Sequence, residues 1–210
     1  MNFLTLLLHD PVHFVIVAAI LLYSIIAHEL AHGWVALWFG DDTARYSGRL
    51  TLNPVNHIDP IGALMLFVVG FGWAKPVPVN YSNLKPFRFG LVSVALAGCF
   101  TNILIATVAL LMMHFPAINA DSGSASALSF VAQINIILGG FNLIPIPPLD
   151  GSKVLMGVLP RDMQILLSRF EPFGFLVLVA LLFTGLLNPV IIFMQNTIYG
   201  FINFIFGIFG

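Results

Sequence analysis

Two histidines and a glutamate fall within five residues near the start of this chain, in His28-Glu29-Leu30-Ala31-His32. The residues around them, Ile25 to Ala27 and Gly33-Trp34, are apolar, so the five sit inside an apolar helix. On a helix, positions i and i+4 share a face, and the imidazoles of His28 and His32 can face one metal ion. Two neutral imidazole nitrogens suit zinc, and a catalytic zinc takes a third protein ligand while keeping one position open for water. Glu29 lies one residue round from His28, where a carboxylate can take a proton from that water. The plainer alternative is a pair of histidines satisfied within a helix bundle. It is weakened by the setting, because ionisable groups at membrane depth are costly and mark function by default.

The third ligand has to come from elsewhere in the chain. Asn142 to Gly151 reads Asn-Leu-Ile-Pro-Ile-Pro-Pro-Leu-Asp-Gly. Three prolines in four positions forbid a continuing helix, so the chain is expected to run extended, turn at Asp150-Gly151 and restart as a helix. Asp150 is then either a turn or capping aspartate or the missing ligand. His57 is a weaker candidate, in a polar cluster His57-Ile58-Asp59-Pro60 where a turn already accounts for Asp59.

Composition sets the frame for these residues. The chain has 210 residues, of which 59% are hydrophobic and 8% charged, with a net charge of −1. A soluble domain carries about 25% charged residues, so this is a polytopic membrane protein, and with no basic field it is no nucleic-acid binder. Cys99 is the only cysteine, which excludes an internal disulfide. The first apolar stretch lacks an N-terminal Lys or Arg and holds the histidine motif, so it is not read as a cleavable signal.

Helices are expected over about 12–39, 86–114, 128–143, 173–187 and 190–210, giving an all-α fold of four to six transmembrane helices. Ala27, Ala31 and Gly33 are small enough to let a neighbour approach closely. Arg45 to Leu52 reads as a short strand or hairpin. Ile61 to Gly72 is apolar but too short for a span of about 20 residues, and reads as re-entrant. Trp73 to Asn80 carries Pro76 and Pro78, which deprive one edge of donors and leave Val77 and Val79 with theirs. This is either a template for an extended peptide or a rigid linker. A small-residue loop is expected over 116–127. Glu171-Pro172 is expected to precede the fourth helix.

Topology gives an independent check. If Ile61 to Gly72 does not cross, all eight basic residues fall on one side and the 116–127 loop on the other has none, in keeping with the positive-inside rule. The N-terminus is then outside, and the histidine motif and Asp150 both lie towards the cytosol, which favours Asp150 as the ligand.

With these stretches in hand, the chain resembles the site-2 protease family of intramembrane zinc metalloproteases. His28 to His32 matches the zinc motif, and Asn142 to Gly151 matches the family's Asn-x-x-Pro-x-Pro-Pro-Leu-Asp-Gly motif. Gly98 to Asn102 resembles its Gly-Pro-x-x-Asn motif, with Cys99 where proline is usual. The likeness covers roughly residues 14–155, and there is no room for a PDZ or CBS domain, so the chain resembles a minimal member: one domain over 1–210, with a catalytic core about 12–155 and C-terminal helices about 172–210. The resemblance implies one Zn2+ per chain on His28, His32 and Asp150, with Glu29 as catalytic base. It implies Asn142 and Asn102 on the substrate side, and a single-pass transmembrane protein as substrate, in the cell membrane of a prokaryote. A metal-ion or proton transporter using the same His and carboxylate cluster is the alternative, and would show polar groups through the full membrane depth. A catalytically silent scaffold is opposed by the intact Glu29.

Overall fold

The structure is a computed structural model that describes residues 7–68, 72–115, 118 and 122–209. It is helical throughout, with no strand among the described residues and only an isolated antiparallel bridge between Ile58 and Ala74. Among the described residues five helices are long and apolar enough to cross a membrane, so the chain is an all-α integral membrane protein. Helix α1 spans Pro11–Trp38. Its start follows from Pro11 in the first turn and Asp10, whose carboxylate accepts from the His13 backbone N–H at 3.0 Å.

Helix α4 (Phe87–Met112) is central, packing against α1, α5 (Ser122–Asn142) and α6 (Asp150–Val158). Helix α8 (Asn188–Phe209) leans on α5, with Ile198 and Ile202 buried among Ala106, Ala109, Ala132 and Ile136. Helix α7 (Arg161–Phe183) touches α6 and leaves most of its apolar surface outward, as a lipid-facing helix does.

Between α1 and α4 the chain departs from the expected hairpin. Thr43–Tyr46 is a short helix, α2, in place of the strand read at Arg45 to Leu52. Asp41 decides this locally: its carboxylate accepts from the Thr43 N–H and hydroxyl, which fixes a turn where a strand would have to start. The apolar segment after Pro60 forms α3, Pro60–Val68, about 14 Å long at 1.5 Å per residue, roughly half the hydrocarbon thickness. Both its flanks return to one place. Ile58 bridges Ala74, Lys75 N–H donates to the His57 carbonyl at 2.8 Å, and Gly62 lies against the Trp73 backbone. The segment is therefore re-entrant over its described part; residues 69–71 lie outside the described residues.

Residues 73–80 follow as an extended strap across the end of α1. Val77 is buried and, with Leu50, fills the notch left by Gly33. The small residue here admits Leu50, the strap and Ala44 of α2 together. Val79 packs with Ala36, Leu84, Leu91 and Val94.

Three further expectations are corrected. Helix α5 begins at Ser122, so the 116–127 loop is shorter than read, and 116, 117 and 119–121 lie outside the described residues. Helix α7 begins at Arg161 and runs through Pro172; membrane helices tolerate an internal proline because local adjustment and neighbouring groups re-satisfy the freed carbonyl. Residues 143–149 are a series of tight turns and not an extended run, with Ile146 N–H on the Ile144 carbonyl at 2.8 Å and Leu149 N–H on that of Ile146 at 2.9 Å. Buried at this depth, the chain satisfies itself locally where proline has removed donors.

Candidate metal centre

His28 and His32 project from consecutive turns of α1 and are 6% and 8% exposed. Asp150, in the first turn of α6, meets them, because the 143–149 turns and the close seat of Gly151 on the Leu143 backbone carry α6 against α4. The Nε2 atoms of the two histidines are 3.0 Å apart, and Asp150 Oδ2 lies 2.9 Å from His28 Nε2 and 3.1 Å from His32 Nε2.

The donor set fits a metal ion. His32 Nδ1 lies 2.6 Å from the Val94 carbonyl, which can only accept, so that nitrogen carries a proton and, in the neutral imidazole, Nε2 is the lone-pair nitrogen. His28 Nδ1 lies 2.6 Å from Asn102 Oδ1, and His28 is arranged in the same way. With both imidazoles neutral, two lone pairs and a carboxylate oxygen converge on one point, a donor set that a cation completes. Tetrahedral ligands about 2.0–2.1 Å from zinc stand roughly 3.3 Å from one another, so the observed edges need to open by only a few tenths of an ångström. The three residues are the group of histidines and acids that could hold a metal among the described residues.

Other groups frame the triangle. Glu29 Oε2 accepts from the Val77 N–H of the strap at 2.8 Å. The strap is moored at its far end by Asp41, fully buried at the end of α1, which accepts from Asn80 N–H at 2.7 Å and Asn83 Nδ2 at 2.8 Å as well as from Thr43. Burial opposes the charge on Asp41, but these donors outweigh it and hold its carboxyl below the usual carboxylate range. Tyr81 follows the strap. Burial, with Asp150, Glu171 and Glu29 nearby, pushes its hydroxyl up to about 12, so it stays protonated at neutral pH. Lys153 of α6 pairs with Glu171 of α7 and sits 5.2 Å over the Tyr81 ring.

Of the other residues singled out in the sequence, Asn102 lies behind His28, and Asn142 donates to the Leu138 carbonyl at 3.0 Å at the end of α5. Val77 spends its N–H on Glu29, while Val79 N–H has no hydrogen-bond partner among the described residues. His57 is buried under the strap, with Nε2 on the Thr51 carbonyl at 2.8 Å, and is not part of the cluster. Sequence reading missed Asp41, Ser24 and the Val94 carbonyl. Only Asp41 left a signal, an acid just past a helix end.

A buried cluster of two histidines and a carboxylate suited to a metal, set among membrane-spanning helices, defines the class: an integral membrane protein with a metalloenzyme-type site. Residues 110–185 match the model of peptidase family M50. The chain is 40% identical over 173 residues to "Putative zinc metalloprotease YwhC" of Bacillus subtilis, covering 79% of each chain. It is 31% identical over 180 residues to "Putative zinc metalloprotease Rip2" of Mycolicibacterium smegmatis, covering 83% of this chain and 69% of that one. "Zinc metalloprotease MJ0392" of Methanocaldococcus jannaschii is 25% identical over 162 residues, covering 77% of this chain and 40% of the relative. No solved structure matches. The chain belongs to peptidase family M50, the site-2 proteases.

Proposed function

We propose that this protein is an intramembrane zinc endopeptidase that cuts a peptide bond in or near the transmembrane helix of a single-pass membrane protein. One zinc ion per chain is held by His28 Nε2, His32 Nε2 and Asp150 Oδ2. The observation that carries this reading is the convergence of those three ligand atoms beside Glu29. When bound, zinc polarises the scissile carbonyl and brings the acidity of a water molecule to near neutrality.

The chain's own residues do the rest. Glu29 takes the proton of the attacking water on a carboxylate oxygen and passes it to the leaving nitrogen. The Val77 N–H holds the other end of that carboxylate in place. A helix must unwind before its carbonyls are reachable, since its backbone groups are paired internally. The Val79 N–H on the strap is a donor for the unwound segment. Asn142 Nδ2, once turned from the Leu138 carbonyl, is a donor for the developing oxyanion. The positive-inside rule favours the site end of the helices in the cytosol and the N-terminus outside, and the bacterial and archaeal relatives support the cell membrane of a prokaryote.

The test is zinc content of the detergent-purified protein, wild type beside Asp150→Ala, together with cleavage by Glu29→Gln. The expected result is about one zinc per wild-type chain, clearly less in Asp150→Ala, and no cleavage by a Glu29→Gln protein that retains zinc. A wild type purified without chelators that carries no zinc, or a Glu29→Gln protein that still cleaves, overturns the reading.

A further inference from the structure

Behind His28 lies a closed run of polar side chains that the proposed chemistry does not use. Ser24 of α1, Asn102 of α4 and Asn135 of α5 are 5%, 0% and 0% exposed at the junction of the three core helices. Amides buried without partners are costly, yet here each is engaged, and the direction of the run is not free.

The direction is set at one end. Asn135 lies 2.9 Å from the Val131 carbonyl, and a carbonyl only accepts, so the end of Asn135 at that point is Nδ2. The same nitrogen donates to Ser24 Oγ at 2.9 Å. Asn135 Oδ1 is thereby turned to Asn102 and must meet a donor, Asn102 Nδ2 at 2.8 Å, which also faces the Ser24 carbonyl at 3.4 Å. Asn102 has only Oδ1 left for His28 Nδ1, at 2.6 Å. His28 must therefore carry a proton on Nδ1, and the neutral ring that binds a metal has its lone pair on Nε2, the atom that faces His32 and Asp150. A polarity fixed at a main-chain carbonyl of α5 is relayed through two amides to the atom on the metal side.

We infer that Asn135 and Ser24 are positioning residues for the metal centre, holding Asn102 in the one orientation that keeps His28 Nε2 unprotonated and aimed at the site. The inference rests on the reading of His28, His32 and Asp150 as zinc ligands. Ligand, orienter and source of polarity come from three different helices, so the assembly of α1, α4 and α5 is itself what selects the tautomer. Hydrogen bonds behind a ligating histidine are worth about 10- to 100-fold in metal affinity.

The experiment measures zinc affinity of the full detergent-solubilised chain by competition with a chromophoric chelator, and the visible spectrum of the cobalt(II)-loaded protein. Asn135→Leu keeps the branching of the side chain but removes the acceptor, freeing Asn102 to turn over. Zinc affinity is expected to fall about 10- to 100-fold, with a changed cobalt spectrum. Asn135→Asp, kept protonated by burial so that its hydroxyl meets the Val131 carbonyl, retains an acceptor towards Asn102, and is expected to bind zinc within a few-fold of wild type. An ionised carboxylate at 102 can only accept, so it holds the His28 Nδ1 proton whichever way it is turned, but it then faces Asn135 Oδ1 as a second acceptor. In an Asn102→Asp background, adding Asn135→Leu removes that conflict and is therefore expected to leave zinc affinity unchanged or to raise it. Should Asn135→Leu not fold, Ser24→Ala, which removes one anchor of Asn135, takes its place, with a smaller loss expected. An Asn135→Leu or Ser24→Ala protein that binds zinc like wild type overturns the inference. So does an Asn135→Leu loss of the same size in the Asn102→Asp background, which would make the residue a packing element only. A wild type that binds no zinc fails the zinc-protease reading itself, and the inference falls with it.

Discussion

At Gly98 a hydrogen stands where a methyl carbon would lie 2.5 Å from His28 Nε2 and 2.6 Å from His32 Nε2. Helix α4 therefore runs flush against both imidazoles. Alanine is a better helix former than glycine by about 1 kcal/mol, so Gly98→Ala is expected to fold while losing most of its zinc, which elemental analysis reads directly. Removing the metal with a chelator takes away the ion that binds the three side chains together, and the thermal unfolding midpoint is expected to drop; an unchanged midpoint would contradict the account of the triangle. Glu29→Gln is expected to keep its zinc and lose about 10²- to 10⁴-fold in cleavage rate. The two histidines of the cluster were legible in the sequence because their geometry is local, four residues on one helix. Asp150 was legible through the motif that contains it and the membrane side it shares with the histidines, since the proline run alone also fits a turn aspartate. The partners that fix the imidazoles were not, since Val94 lies 62 residues from His32, and Asn135 is two side chains removed from His28.

At the scale of elements, the strap is held at two points, by Glu29 at Val77 and by Asp41 at Asn80. Val77→Pro removes the N–H that Glu29 uses and nothing from the zinc ligands. Cleavage is expected to fall while zinc content stays at the wild-type level. Asp41 is lowered in the folded protein, so its contribution to stability is present above the ordinary carboxylate range and is lost as pH falls through its depressed folded-state value. Amide hydrogen exchange at Asn80 is expected to be slow at pH 6 and to quicken towards pH 3 beyond the intrinsic chemistry, and Asp41→Asn is expected to flatten that dependence. The helices at 11–38 and 87–112 were legible from apolar length alone. Helix α2 was not, because β-forming residues at 46–52 outvoted a turn that a buried aspartate imposes. Nor was the start of α7, because Pro172 reads as a helix boundary although the helix continues through it.

For the whole molecule, the proposed orientation makes a simple demand. Cys99 is buried, so a single new cysteine reports its own side of the membrane. Ser47→Cys, between α2 and α3, is expected to be shielded from a membrane-impermeant maleimide in intact cells, and Thr184→Cys, between α7 and α8, to be labelled; both positions are exposed on the protein. The reverse pattern would invert the topology. The short excursion of α3 is what keeps the basic residues on one side, and it was legible because nine apolar residues cannot span a bilayer whatever their neighbours do.

The closeness of Gly98 has a kinetic side. With α4 against one face of the imidazoles and Asn102 behind His28, the route from outside to the triangle passes Asp150, whose side chain is 20% exposed where those of His28 and His32 are 7% and 10%. An ion arriving or leaving must move past the carboxylate that also binds it. Loading and loss are then both slowed by the rate at which one side chain swings aside, while their ratio remains the affinity. A tightly shut triangle and a slowly exchanging one are the same structure seen at equilibrium and in time.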